Sequence, residues 1–374
     1  MAVRVTVVGA GVLGTMHAWH AIERGHEVVH LEREREARGA SVRNFGLVWV
    51  GGRAAGPELA TAQRARELWE EIGARVPGVG FRANGSLTVV RSAAEQAVAE
   101  EVLSRPDAAD RGYAWLTPAE VRAHNPAVRG DISGALLCTR DAAVEPRLTL
   151  PALREHLAAG GRYTFVPGRE VRDVAPGLVR DDHGTSYASD TVVLTTGAWL
   201  SGLVRELAPQ LPVRRVRLQM AQTDPLGEEL TTSVADGDSF RYYPAYAGGA
   251  LDALRDGHPQ PPVPAAHRMQ MLMVQRLDGG LTIGDTHEYD EAFSFDVTED
   301  PYDHLLIRAG EILGRPLPRI RRRWAGVYAQ CADTTRVVHR EQVRDGVWLV
   351  TGPGGRGMTC SPAIGEATAN EIGW

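Results

Sequence analysis

Residues 3–32 read VRVTVVGAGVLGTMHAWHAIERGHEVVHLE, and this stretch decides the fold. A β-rich run, 3–8, meets Gly9, Gly11 and Gly14 in the order G-x-G-x-x-G, and a helical stretch then carries the chain to Gly25. A second apolar strand, 28–31, ends at Glu32, about 20 residues beyond the glycines, where dinucleotide-binding βαβ units place an acid. Gly9 permits the tight turn, Gly11 lets backbone N–H groups approach a pyrophosphate, and Gly14 lets the helix pack closely on the strand. The turn and helix start, with Ala10, Val12 and Leu13, then face the phosphate charge. Glu32, with Arg33 beside it, can accept hydrogen bonds from an adenosine ribose. Strand, helix, second strand and terminal acid agree, so the segment reads as a dinucleotide site rather than an ordinary glycine-rich turn.

Around this unit, 374 residues leave room for two domain-sized units of roughly 150 residues each. No apolar run approaches the ~20 residues that a membrane helix needs. A strand starting at Val3 leaves no expected signal segment, so the expected location is the cytoplasm. Cys138, Cys331 and Cys360 lie far apart with no C-x-x-C pair, which speaks against disulfides and against a metal site. A net charge of −6 disfavours nucleic acid as a partner. All 41 basic residues are arginine. Without lysine there is no Schiff base, no P-loop lysine and no lysine-assisted oxygen activation.

Further along, helices are expected at 58–72, 93–103, from Pro118 behind the Thr117 cap, at 148–159 and at 361–372. Strands are expected at 81–90, on either side of Val171, and at 191–196, 214–223 and 347–351. A hairpin joins 269–274 to 281–286, and the Gly-, Pro- and Ala-rich stretch 247–266 reads as a surface insertion. The expected class is α/β (α+β overall), with two interleaved, discontinuous domains. One is a Rossmann-like nucleotide domain at 1–75, 141–215 and 321–374. The other is an antiparallel-sheet substrate domain at 76–140 and 216–320.

Residues 347–366, VWLVTGPGGRGMTCSPAIGE, set a strand, a loop with Gly352, Gly354, Gly355 and Gly357, and a helix in succession. A nicotinamide dehydrogenase has no need of a second such cradle, whereas an FAD lying extended across the domain does. Its isoalloxazine gains negative charge on reduction, and backbone donors at Arg356, Gly357, Met358 and Thr359 would face that edge.

With these blocks in place, the chain resembles the FAD-dependent family of D-amino acid oxidase, glycine oxidase and sarcosine oxidase. The likeness also rests on ASVRNFG at 40–46 and VVLTTGAWL at 192–200. It implies that Ser41 meets the pyrophosphate, that Arg43, Asn44, Phe45 and Gly46 pass near the flavin, and that Val171 touches the adenine. Thr196, Gly197 and Trp199 belong to the third block. In the family's W-x-G-x-R block an arginine forks onto a substrate carboxylate; here the stretch is Trp324-Ala325-Gly326-Val327-Tyr328. Tyrosine cannot make that bidentate ionic contact. Gly326 stands where sarcosine oxidases carry their flavin-linking cysteine, which implies non-covalent FAD.

The family's G-x-T strand end matches Gly284-Asp285-Thr286, and His287 follows as a pocket residue, neutral or charged near neutral pH. His287 and Tyr328 are the catalytic candidates. Arg241, Tyr242, Tyr243 and Trp324 are the substrate-binding candidates, with Arg241 able to receive an anionic group. The likeness extends to a subgroup associated with aminophosphonate breakdown. The implied reaction is oxidation of a small amine's C–N bond to an imine and then an aldehyde or keto product, with O₂ reduced to H₂O₂. A dehydrogenase with another acceptor and a non-catalytic or tRNA-directed flavoprotein remain open, and the oligomeric state is unread.

Overall fold

The computed structural model describes residues 2–374. The opening unit forms as its sequence dictates: β1 (Arg4–Val8), α1 (Val12–Glu23) and β2 (Glu27–Glu32). Five strands run parallel in the order Val347–Thr351, Thr191–Leu194, β1, β2, Tyr163–Pro167, and His339–Arg344 adds an antiparallel edge. Valine-rich runs suit such strands, because a parallel sheet is covered on both faces. The α1 helix is buried at every residue from Val12 to Ile22, pressed against the C-terminal helix Gly357–Ile372.

The second sheet has eight strands. Their order is Ile320–Cys331, Val213–Pro225, Gly280–Gly284, Leu272–Gln275, Ser233–Ala235, Ser86–Val90, Gly134–Cys138, Tyr113–Leu116. Its pairings are antiparallel except one, Ser233–Ala235 beside Ser86–Val90. The strand Ile320–Cys331 pairs along its length with Val213–Pro225. Residues 321–331 therefore hydrogen-bond within this sheet, although they follow the expected boundary at 320. Val171 opens a small three-stranded sheet, Val171–Ala175, Gly177–Asp181 and Ser186–Ser189.

Three local expectations shift. The stretch 247–266 is not an irregular insertion: it forms helices Gly249–Gly257 and Pro262–His267. Leu251 and Leu254 bury one face of the first, and Glu101 accepts from its Ala250 N–H, features that the glycine and proline content masks. The strand expected at 81–90 starts only at Ser86, after Gly85 turns the chain at φ +64°. The last helix begins at Gly357 rather than Ser361, because the glycine loop itself winds into it. Among the described residues no helix is long and apolar enough to cross a membrane.

Candidate active site

A cavity of about 1200 Å³ is lined by the glycine turn of β1–α1, the C-terminal glycine loop and the eight-stranded sheet. At its nucleotide end Gly9 takes φ +98°, and a Cβ there would lie 2.6 Å from the Thr195 carbonyl oxygen. A Cβ on Gly14 would lie 2.0 Å from the Gly9 carbonyl, which is the close helix–strand approach expected of that glycine. The Glu32 carboxylate lines the cavity and accepts from the N–H groups of Ala10 (2.8 Å) and Glu34 (3.1 Å), tying the second strand to the turn. Ser41 Oγ accepts from the Val12 N–H at 2.9 Å, at the start of α1. Val171 and Gly197 line this end, and the Arg33 guanidinium lies 4.1 Å from the Trp199 ring centre.

In the middle, Arg43, Asn44 and Phe45 line the wall. Asn44 shapes their loop: its Oδ1 accepts from Gly46 N–H, and its Nδ2 donates to the Ala40 and Ser41 carbonyls. Opposite stand Gly354 through Thr359. The Arg356 side chain does not reach for a ligand; it donates to the Thr334 and Arg336 carbonyls and lies 3.3 Å from Glu58. Ala10, Gly14, Gly46 and Gly352 do not line the cavity. They shape it from behind, as at Gly46, where a Cβ would meet the Val144 carbonyl at 2.1 Å.

The substrate end is aromatic and polar: Tyr242, Tyr243, Tyr289, Tyr328, Gln270, Asp285 and His287 all line it. The Tyr242 and His287 rings stack at 4.2 Å. A Cβ on Gly355 would sit 3.7 Å from Tyr328 Oη and 3.9 Å from Tyr242 Oη, so both phenols converge on the C-terminal glycine loop. Tyr328 Oη and Gln270 Oε1 are buried without a hydrogen-bond partner. His287 Nδ1 donates to the Arg268 carbonyl (3.0 Å), and its Nε2 lies 3.7 Å from Asp285 Oδ2. Burial lowers the His287 pKa to about 4, so the ring is neutral at pH 7. The positive charge that the sequence allows His287 is thus disfavoured, with the nearby Arg268 adding to the effect. Burial pushes the Asp285 carboxyl up to about 8.

Two candidates lie elsewhere. Arg241 pairs with Asp238 (3.1 Å) and donates to the His258 carbonyl, so it receives no ligand in the cavity. It belongs to the short helix Asp238–Tyr242, where adjacent positions diverge by about 100°. Trp324 does not line the cavity; it packs beside it against the cluster that holds Phe45 and Tyr328, and its indole donates to the Arg43 carbonyl at 3.2 Å. Sequence reading passed over Asp285, Gln270 and Tyr289. A signal for Asp285 existed, because residues two apart on an extended chain share a face and Asp285 stands two before His287.

These features fit FAD. The glycine turn offers a helix start to a pyrophosphate, the cavity continues along the side-chain-free Gly354 and Gly355, and the orphaned Tyr328 hydroxyl awaits a partner. No cysteine lines the cavity among the described residues. The family model described as FAD dependent oxidoreductase (DAO) matches residues 4–371. An opine oxidase component of Rhizobium meliloti is 25% identical over 59% of this chain, and the D-amino-acid oxidase of Streptomyces coelicolor 31% identical over 63%. Each match spans 63% of the relative's own length. Glycine oxidase from Geobacillus kaustophilus superposes with a TM-score of 0.78 at 20% identity, covering 100% of this chain and 95% of that one. Iminodiacetate oxidase from Chelativorans superposes at 0.77 and 19% identity, covering 99% and 95%. At such identities the likeness is one of fold.

Proposed function

This chain belongs to the DAO family of FAD-dependent oxidoreductases, and from that premise we propose that it oxidises the C–N bond of a small amine. The product is an imine that water converts to an aldehyde or keto compound, while O₂ takes the electrons as H₂O₂. FAD, held non-covalently, supplies the acceptor for the hydride equivalent from the α-carbon. The protein's part is to hold that C–H bond in place, with Tyr328 and His287 orienting the substrate. The N-terminal turn with Glu32, the 40–46 loop and the 352–359 loop hold the cofactor. The division into a cofactor unit and a substrate unit at 76–140 and 216–320 is part of this reading.

The carrying observation is the wall facing the C-terminal glycine loop: tyrosines, a carboxyl and a neutral histidine, with Tyr328 where the family's carboxylate fork is expected. Such a wall offers no fork for an α-amino carboxylate, and the likeness to the aminophosphonate subgroup adds an N-methyl amine or an aminophosphonate, such as 2-aminoethylphosphonate or its N-methyl derivative, as the proposed substrate. The test is aerobic incubation with these, sarcosine, glycine and D-alanine, measuring H₂O₂ and carbonyl product. H₂O₂ with an aminophosphonate or N-methyl amine supports the reading; turnover confined to glycine or D-alanine contradicts the substrate preference. A dehydrogenase is the second reading. In its favour, no buried guanidinium lacking a carboxylate partner lines the substrate end among the described residues. Carbonyl product that forms without H₂O₂, and only with an artificial acceptor, identifies it.

A further inference from the structure

We propose that Asp285 receives the substrate nitrogen and takes the proton that this nitrogen must lose before its C–H bond is oxidised. The proposal rests on the amine-oxidation reading and assigns a group to a step that reading leaves open. An alkylamine arrives protonated at neutral pH, and an ammonium cannot release a hydride from its α-carbon. A nearby acceptor is therefore required.

Asp285 is 5% exposed and lines the cavity. No guanidinium reaches its carboxyl oxygens; Gln270 Nε2 approaches at 3.5 Å, the residue's own backbone N–H lies near, and His287 Nε2 stands 3.7 Å away. The groups that face it from other elements are the Tyr242, Tyr243 and Tyr328 phenols, with Tyr289 on its own loop. Arg268 lies beyond, 4.9 Å from the Tyr289 ring centre. Arg53 lies 5.8 Å from the Tyr243 ring centre and is drawn to Glu58. A buried carboxyl without a cation is stable only when protonated, unless a ligand brings the positive charge. An ammonium does so, and tyrosine ring faces favour a cation beside them.

Within the complex one N–H bond breaks and one O–H bond forms on Asp285. The nitrogen lone pair is freed; the proton that Asp285 carries in the free protein leaves to solvent when the ammonium binds, so one proton is released for each amine taken up. Of the other acids that line the cavity, Glu34 and Glu170 adjoin Arg33 and Val171 at the nucleotide end, and Glu206 is exposed. Glu58 lies between Arg53 and Arg356, and Glu32 holds the glycine turn.

Two measurements on the FAD-loaded protein test this. The first is titration with tert-butylamine, which has no α-hydrogen to lose, and with pivalate, a carboxylate of the same shape. The amine perturbs the flavin spectrum to saturation and pivalate does not. Asp285→Asn weakens the amine at least tenfold while FAD content is unchanged. Preferential pivalate binding, or amine binding indifferent to Asp285→Asn, overturns the proposal. The second is the anaerobic rate of flavin reduction, as a function of pH, by an amine that reduces the wild type. Asp285→Asn lowers it about 100-fold at pH 7. The gap narrows to under tenfold above about pH 10, where the amine arrives already neutral. A gap that does not change with pH overturns the proposal. A wild type that binds tert-butylamine through Asp285, yet is reduced by no amine, contradicts amine oxidation and leaves the cation site standing.

Discussion

Asp285 and His287 shift in opposite directions for one reason: burial disfavours the charged form of each. For Asp285 the folded carboxyl titrates at about 8, against 3.8 when unconstrained. Its contribution to stability is therefore complete below 3.8 and lost as the pH rises toward 8. Asp285→Asn removes that penalty. Stability at pH 7 should rise by about 2 kcal/mol, read as a Tm several degrees higher, and the gain should vanish near pH 4. The histidines work the other way. Burial lowers His17 to about 3 and His20, His30 and His287 to about 4, from 6.5. Their stabilising neutral forms are favoured above 6.5, and stability falls as the pH drops toward 4; the raised Asp285 and Asp236 carboxyls offset part of this, leaving about one to two protons taken up on unfolding. A Tm that is flat across that range would contradict the burial of these rings. Of the two facing groups, sequence motif marked His287 but not Asp285, because its signal was only a position two residues away.

Elements that carry their own stop and start signals were readable from the chain. Ser92 and Thr117 each complete a capping box, and the helices behind them, Ala93–Leu103 and Pro118–His124, follow the sequence closely. Signals spread over several elements were not. Glu58, in the first turn of the helix Pro57–Arg75, lies 3.8 Å from Arg53 and 3.3 Å from Arg356, all three buried. This trio ties that helix to the C-terminal glycine loop, yet most of the chain separates Arg53 from Arg356. Glu58→Gln leaves two buried guanidiniums short of charge. It should cost about 3 kcal/mol in urea unfolding and loosen FAD retention on gel filtration. Unchanged stability would show that the carbonyl partners of Arg356 suffice. Arg241 failed as a site residue for a related reason: adjacency to Tyr242 in sequence does not survive a helical turn.

For the molecule as a whole, the cofactor end is written in local glycine motifs and the substrate end in long-range pairing. Gly9, Gly11 and Gly14 declare a turn by themselves, and the parallel sheet follows from valine runs. Tyr328 reaches the cavity because its strand pairs with Val213–Pro225, which also pairs with Gly280–Gly284, the strand leading into Asp285. No short motif encodes that apposition. The cavity it builds predicts a flavin reduced by small amines that need no carboxylate fork. Anaerobic mixing of the FAD-loaded protein with 2-aminoethylphosphonate or its N-methyl derivative, beside glycine and D-alanine, is the direct test. Loss of the oxidised flavin's visible absorption with the phosphonates, and much slower loss with the two amino acids, is the expected result. Rapid bleaching by glycine or D-alanine, with none by the phosphonates, would contradict it.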